Sequence, residues 1–325
     1  MSNLPRVLPA VYTSASKYIA RSTAIHGIRK FSSCSIRHST APEWTKTVSA
    51  SKVKKVVDRS YKTTNVKDLM LLTGRNIVVT GGGRGIGLAL AYAVAQAGGN
   101  VAVIDALDKP HEDFAGLESL GIRAKIYKAD VAKYDQIQST FDKIANDFGS
   151  IDGCITAAGI LIDKPFLEHG WEETYKLQMI NTLGTFFCAQ AAARHMRSQN
   201  TPGSIVLIAS ITGNGFAIPA QQLAAYGASK AYVKGLGGLL GVELAPYDIR
   251  VNSISPGYIR TDMTANVGAV NPTLMEFFTS APPMKRIGEK TDLMTAAVYF
   301  LSDASAYTTG ADLQITGGMH AGRND

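Results

Sequence analysis

Cysteine is scarce in this chain of 325 residues: Cys34, Cys154 and Cys188 are the only three. A disulfide framework is therefore excluded, and a reducing interior compartment fits best. The 31 glycines follow no triplet period, which excludes a collagen-like rod. No stretch approaches the roughly 18 uninterrupted apolar residues that a membrane-spanning helix requires. Internal repeats and low-complexity tracts are missing as well. What the chain has is apolar bulk, with 46% hydrophobic against 18% charged residues. That suffices for one large α/β domain with an appendage, or for two small domains.

Acidic residues are absent from positions 1 to 42, where Arg6, Lys17, Arg21, Arg29, Lys30 and Arg37 stand alone. This segment carries +6 of the formal net charge of +7. Residues 43 to 70 add +4, from seven Lys or Arg against Glu43, Asp58 and Asp68, so the body from 71 to 325 is mildly acidic at −3. The overall positive charge thus gives no reason to expect nucleic acid or a membrane as partner. An acid-free, Ser-rich, Arg-bearing start reads as a mitochondrial targeting peptide over 1–42, and it places the mature protein in the matrix. Arg29-Lys30-Phe31-Ser32-Ser33 resembles a processing site, and the alternative is a disordered basic tail. A secretory signal is excluded by the lack of its apolar core. Residues 43–70 read as a basic linker or arm.

From about Arg75 onward, β-branched runs alternate with amphipathic stretches, the pattern of βα units around a parallel sheet. Strands are expected at Arg75–Thr80, Val101–Asp105, Arg123–Lys128, Gly153–Thr156, Ser204–Ala209, Ile249–Ile254 and Asp312–Thr316. Together they predict one doubly wound α/β domain over 71–325, a seven-stranded parallel sheet with helices on both faces.

The first chemical motif is Thr80-Gly81-Gly82-Gly83-Arg84-Gly85-Ile86-Gly87, between the first strand and a helix expected over Ile86–Ala97. A Cβ at its glycines would keep main-chain amides and the helix N-terminus from a pyrophosphate. The spacing of Gly81, Gly85 and Gly87 is TGxxxGxG, not the literal GxGxxG. Asp105 ends the second strand 18 residues after Gly87, where a carboxylate accepts hydrogen bonds from ribose hydroxyls and opposes a 2′-phosphate. It points to NAD. Arg84 keeps NADP as the alternative, because a cation in this loop pairs with that phosphate. Asp130-Val131 follow the third strand in position to contact the adenine edge; the plainer role for Asp130 is a helix cap.

The second motif is Tyr226-Gly227-Ala228-Ser229-Lys230. Spacing of i, i+4 sets the phenol and the ammonium on one helical face. A phenol ionises near pH 10, and an adjacent cation favours the phenolate. YxxxK alone is common; its place after a nucleotide fingerprint and after Ile208-Ala209-Ser210 makes it a candidate site.

With TGGGRGIG, Asp130-Val131, Ala158-Gly159, Asn181, Ser210, Tyr226/Lys230 and Pro256-Gly257 in this order, the chain resembles the short-chain dehydrogenase/reductases over about Leu72 to Met319. The resemblance implies a single Rossmann domain and hydride exchange between a nicotinamide cofactor and an alcohol or ketone, with no metal. It implies Tyr226 as the acid/base and Ser210 as a hydrogen-bond partner of the substrate oxygen. Lys230 would lower the Tyr226 pKa and hold the nicotinamide ribose, and Asn181 would hold a water linking Lys230 to solvent. The plainer role for Asn181 is a buried amide fixing a helix kink. Gly81, Arg84, Gly85, Ile86, Gly87, Asp105, Asp130, Val131, Ala158, Gly159, Tyr226 and Lys230 would line the cofactor. Gly257, Ile259 and Thr261 would hold its carboxamide, through the Ile259 backbone and the Thr261 hydroxyl.

Two departures stand out. Thr156-Ala157-Ala158-Gly159 replaces the family's Asn-Asn-Ala-Gly, which removes a hydrogen bond between neighbouring strands worth about 1 kcal/mol. The 16-residue step from Ser210 to Tyr226 adds a loop bordering the substrate pocket. The segment between Thr261 and Ile287 is apolar, and its stripe of Leu274, Phe277 and Phe278 reads first as packing. PAQQLAAYGASK and YTTGADLQITGG most resemble fungal and bacterial polyol dehydrogenases and ketose reductases, so polyol/ketose interconversion leads. The alternatives are an NADPH-dependent 3-oxoacyl-carrier-protein reductase, with Arg194, Arg197 and Arg260 as its basic patch, and a steroid or secondary-metabolite dehydrogenase. A non-catalytic nucleotide-binding scaffold comes last. By the same resemblance, the helices at Trp171–Ser198 and Ala224–Ala245 would pair in a homo-oligomer, a tetramer or dimer, as their small residues permit.

Overall fold

The computed structural model describes residues 60–218, 220–261, 264 and 271–322. The expected targeting peptide and most of the basic arm lie outside the described residues. The end of the arm holds a single helical turn, Val66–Leu69, capped by the Asn65 side chain on the Lys67 N–H.

Seven strands form one sheet: β1 (Asn76–Thr80), β2 (Asn100–Asp105), β3 (Ala124–Lys128), β4 (Gly153–Thr156), β5 (Gly203–Ile208), β6 (Ile249–Pro256) and β7 (Asp312–Ile315). All pairings are parallel, in the order β3-β2-β1-β4-β5-β6-β7. The strands fall within two residues of their predicted starts and ends.

Parallel pairing forces crossovers that cover both faces with helices. Side chains alternate accordingly. Val78, Ile104, Cys154, Leu207 and Val251 pack under α2 (Tyr134–Phe148), α4 (Thr185–Gln199) and α5 (Ala224–Glu243). Their neighbours Ile77, Val79, Val103, Val206 and Ile254 pack under α1 (Gly85–Gln96) and α7 (Thr291–Leu301). The helix expected over Trp171–Ser198 is built of α3 (Trp171–Gln178), a π turn (Met179–Gly184) and α4. Its irregular turn contains Asn181. Cys154 and Cys188 are buried free thiols.

The order reverses between β1, which leads back to β2, and β4, which leads on to β5. Outside the carboxyl ends of the strands, this switch opens the cleft in which doubly wound sheets bind ligands. The Gly-rich turn, Asp105, Asp130, Ala158-Gly159, Ser210 and Gly257 all follow strands at that edge.

Candidate active site

At the Gly-rich turn the sheet approaches itself at main-chain distance. A Cβ on Gly87 would stand 2.0 Å from the Gly81 carbonyl oxygen, and one on Gly81 would stand 2.7 Å from the Ala158 backbone. Gly81 also adopts φ +67, which L side chains avoid. At these glycines the turn presents only main-chain groups, as a bound pyrophosphate needs. Arg84 precedes α1, exposed, and makes no ion pair or side-chain hydrogen bond among the described residues. Ile86 is half-buried beneath it.

Asp105 reaches back to this turn. Its Oδ2 accepts the Gly83 N–H at 2.8 Å and its Oδ1 accepts the Leu107 N–H at 3.1 Å. The carboxylate thus braces the loop as well as presenting negative charge beside it. Asp130 Oδ1 accepts the Ala132 N–H at 2.9 Å, a local turn cap of the kind considered from sequence. Val131 is buried against the π turn, where a Cβ on Gly184 would meet it at 3.0 Å. The Ala158 N–H donates to Thr80 Oγ1 at 3.2 Å. Thr156, in place of an Asn of the usual pattern, keeps a buried Oγ1 without a partner.

Ser210 caps a 3₁₀ turn, Ile211–Asn214, and its Oγ accepts from the Thr212 N–H at 3.2 Å and from Thr212 Oγ1 at 3.0 Å. With both lone pairs engaged, its one proton is left to donate. Beside it, burial pushes the Tyr226 phenol up to about 12, and the Ser210 hydroxyl pulls against that rise. Lys230 is buried, its Nζ donating to the Ile208 carbonyl at 2.9 Å and lying 5.7 Å from the Tyr226 ring centroid. Desolvation brings its pKa down to about 8. Burial dominates both groups, raising the acid and lowering the base.

The Asn181 side chain is fully occupied. Its Oδ1 accepts the Ile160 N–H at 2.9 Å, and its Nδ2 donates to the Ile160 carbonyl at 2.9 Å and to Ser229 Oγ at 3.0 Å. Ser229 Oγ donates in turn to the Tyr226 carbonyl at 2.7 Å. The plainer expectation of a structural amide describes the side chain.

On the far side of the cleft the Ile259 N–H has no acceptor among the described residues, while Arg260 and Gly288 pair with their neighbours across a short bridge. A Cβ on Gly257 would stand 2.9 Å from Thr316. Thr261 turns toward Thr264, whose Oγ1 accepts its N–H at 2.8 Å. Met263, Val267 and Val270, in the apolar segment between Thr261 and Ile287, lie outside the described residues. Leu274 and Phe278 are buried with Ile218 and Ile287, so the stripe packs, as its spacing first suggested.

The sequence singled out Ser210, Tyr226, Lys230 and Asn181, and the fold brings them together. It missed Thr212, which orients the Ser210 hydroxyl, and Ser229 as the link from Asn181 to Tyr226. The Ser-x-Thr pattern of a capped turn was the available signal. A concavity of about 720 Å³ runs between α1 and α7, lined by Leu88, Tyr92, Met294 and Val298 among others, and touches the Gly-rich turn at Gly85.

Residues 80–320 match the family model described as Enoyl-(Acyl carrier protein) reductase. The chain is 38% identical over 259 residues to the NADP-dependent mannitol dehydrogenase of Aureobasidium melanogenum, covering 78% of this chain and 95% of that one. It is 37% identical over 251 residues to the sorbose reductase of Schizosaccharomyces pombe, covering 76% and 96%. Among solved structures, NAD+-bound xylitol dehydrogenase superposes with a TM-score of 0.70 at 32% identity, covering 76% of this chain and 99% of that one.

Proposed function

Because the chain belongs to the short-chain dehydrogenase/reductase family and is an oxidoreductase of that type, we propose that it interconverts polyols and ketoses, with NAD as the preferred cofactor. The observation that carries the chemistry is the half-buried Tyr226 phenol, set beside the Ser210 hydroxyl and the Lys230 ammonium. Bound nicotinamide supplies the acceptor or donor of the hydride. Ser210 holds the substrate oxygen with its single free proton. Tyr226 gives its proton to that oxygen in reduction and takes one in oxidation, and Lys230 holds the ribose and the charge that develops at the phenol.

The glycine cradle and the open Ile259 N–H suit the cofactor's pyrophosphate and carboxamide. Asp105 supports NAD by opposing a 2′-phosphate, and the NAD+-bound xylitol dehydrogenase is in keeping with that preference. The unpaired Arg84 and the NADP-dependent mannitol dehydrogenase keep NADP as the alternative. A polyhydroxylated substrate is supported by the mannitol and sorbose enzymes. The arginines available for docking an acidic carrier are engaged elsewhere. Arg260 pairs with Glu289 at 2.8 Å, Arg197 lies over the Tyr247 ring, and Arg194 bonds Gln138.

The acid-free leader supports import into the mitochondrial matrix, which a leader fusion to a reporter in an import assay would test. Exposed Trp171 and Tyr175 on α3, with Leu239 and Val242 on α5, support a homo-oligomer through these helices. A monomeric mass in sedimentation at micromolar concentration would overturn that.

The deciding experiment compares polyol oxidation with NAD and NADP against reduction of an acetoacetyl thioester with NADPH and NADH, on protein lacking residues 1–42. Turnover of mannitol, sorbitol or arabinitol with NAD is expected. Thioester reduction with NADPH alone would replace this reading with fatty-acid chemistry and make Arg84 the cofactor selector.

A further inference from the structure

The loop between Ser210 and Tyr226 contains a polar group that the mechanism above leaves unused. Gln221 is 6% exposed. Its Oε1 receives one long hydrogen bond, from the Tyr258 hydroxyl at 3.5 Å, and its Nε2 has no acceptor among the described residues. A primary amide on a largely buried residue, with its Nε2 protons directed at no protein acceptor among the described residues, is a poor packing element and a good ligand donor.

Its backbone is held firmly. The Gln221 N–H donates to the Ile218 carbonyl at 3.2 Å. Next to it, Gln222 donates its N–H to Asp163 Oδ1 at 2.8 Å, while its carbonyl accepts the Lys164 N–H at 3.0 Å. The loops that follow β4 and β5 are thereby stitched together on either side of the cleft. Tyr258 follows Pro256-Gly257 at the end of β6, its ring stacked on Phe278 at 3.9 Å and meeting Phe216 and Phe277 edge-on. The same aromatic group packs on Ile211, the neighbour of Ser210. An apolar wall with one amide set into it thus adjoins the Ser210 turn.

We propose that Gln221, steadied by the Tyr258 hydroxyl, determines specificity by donating hydrogen bonds from Nε2 to a second hydroxyl of the substrate, beyond the oxygen held by Ser210 and Tyr226. The inference rests on the polyol/ketose reading and deepens it: the site discriminates against a substrate lacking that hydroxyl, because such a substrate displaces water from Gln221 Nε2 without supplying an acceptor.

Gln221→Leu keeps the bulk and removes the donor, and Tyr258→Phe keeps the stacked ring and removes the hydroxyl that steadies the amide. For each, kcat and KM are measured with a polyol and with a monohydric secondary alcohol such as cyclohexanol, alongside the wild type. Gln221→Leu is expected to raise KM for the polyol by tenfold or more, with kcat little changed and kcat/KM for cyclohexanol unaltered. Tyr258→Phe is expected to shift the same ratio about threefold in the same direction, which supplies the test if the first variant does not fold. An unchanged ratio in folded variants, or an equal loss with both alcohols, overturns the role of Gln221 and leaves the polyol reading standing. A wild type that oxidises no polyol and reduces no ketose overturns both.

Discussion

The Gly-rich turn after β1 and the Ser210–Lys230 region after β5 share one edge of one sheet, and they are assembled from opposite materials. The turn works by the absence of side chains: its amides approach Ala158 and each other so closely that a single Cβ does not fit. The second region works by polar side chains that hold one another, some within a turn and some across long stretches of chain. Thr212 orients Ser210, Ser229 joins Asn181 to Tyr226, and the Ile208 carbonyl takes Lys230. A cradle of main chain is disturbed by added bulk, whereas a buried polar network is disturbed by the removal of a proton or a charge. The two regions should therefore fail in different ways, the first in cofactor affinity and the second in turnover and pH dependence.

The largest separation should come from Tyr226→Phe. Turnover is expected to fall by more than about 10⁴, beyond the ~10²–10⁴ usual for one acid/base group, while cofactor affinity followed by fluorescence titration stays unchanged. In the wild type, a phenol raised to about 12 stays protonated through neutrality. Ketone reduction should hold level with pH there, and alcohol oxidation should accelerate as pH rises. A fall in cofactor affinity equal to the fall in turnover would erase the division between the regions.

Lys230→Met tests burial as the governing force. The folded-state pKa of Lys230 is lowered from 10.5 to about 8, so between these values the unfolded chain binds more protons and stability rises with pH. The wild type should gain about 3 kcal/mol relative to Lys230→Met across that window, read from urea unfolding at pH 7.5 and pH 10.5. Parallel curves for the two proteins would mean that Lys230 is solvated.

Gly87→Val attacks the other region. Overpacking costs about 1–3 kcal/mol, so cofactor binding should weaken about 10- to 100-fold, with kcat at saturating cofactor largely kept. Loss of kcat alone would place Gly87 outside the cradle. The smallest effect is expected from Thr212→Val, which removes one hydroxyl donor to Ser210 at a net cost of about 1 kcal/mol. A loss of kcat of about fivefold with unchanged cofactor affinity should result, and an unaltered kcat would remove Thr212 from the proton-donating arrangement.

Legibility in the sequence follows the same division. The strands could be read because their β-branched runs are short and buried on both faces, and the Gly-rich turn because its requirement is local: the same few residues make the turn and the cradle. Tyr226 and Lys230 could be paired because helical spacing places them together. Their ionisation could not be read, because it depends on how much protein closes over them, and burial pushes the phenol up. The relation of Thr156 to its neighbours was half legible. A missing Asn predicted a missing hydrogen bond, and the fold leaves Thr156 Oγ1 buried without a partner while Thr80 Oγ1 receives the Ala158 N–H. Gln221 carried no signal at all, since a Gln in a loop is ordinarily solvated, and only the closure of Tyr258 and the β4 loop around it makes it a buried donor.

By itself the amino-acid sequence determined the doubly wound sheet, the Gly-rich turn and the pairing of Tyr226 with Lys230 on one helical face, because periodicity, glycine spacing and helical phase act over a few residues. Tertiary structure alone decided which way the Ser210 proton points, that the Asn181 side chain is a brace, and how far Tyr226 and Lys230 are driven from their ordinary ionisation. Those properties arise from desolvation and from hydrogen bonds between residues as far as 48 positions apart, such as Asn181 and Ser229, which only the closed fold brings together.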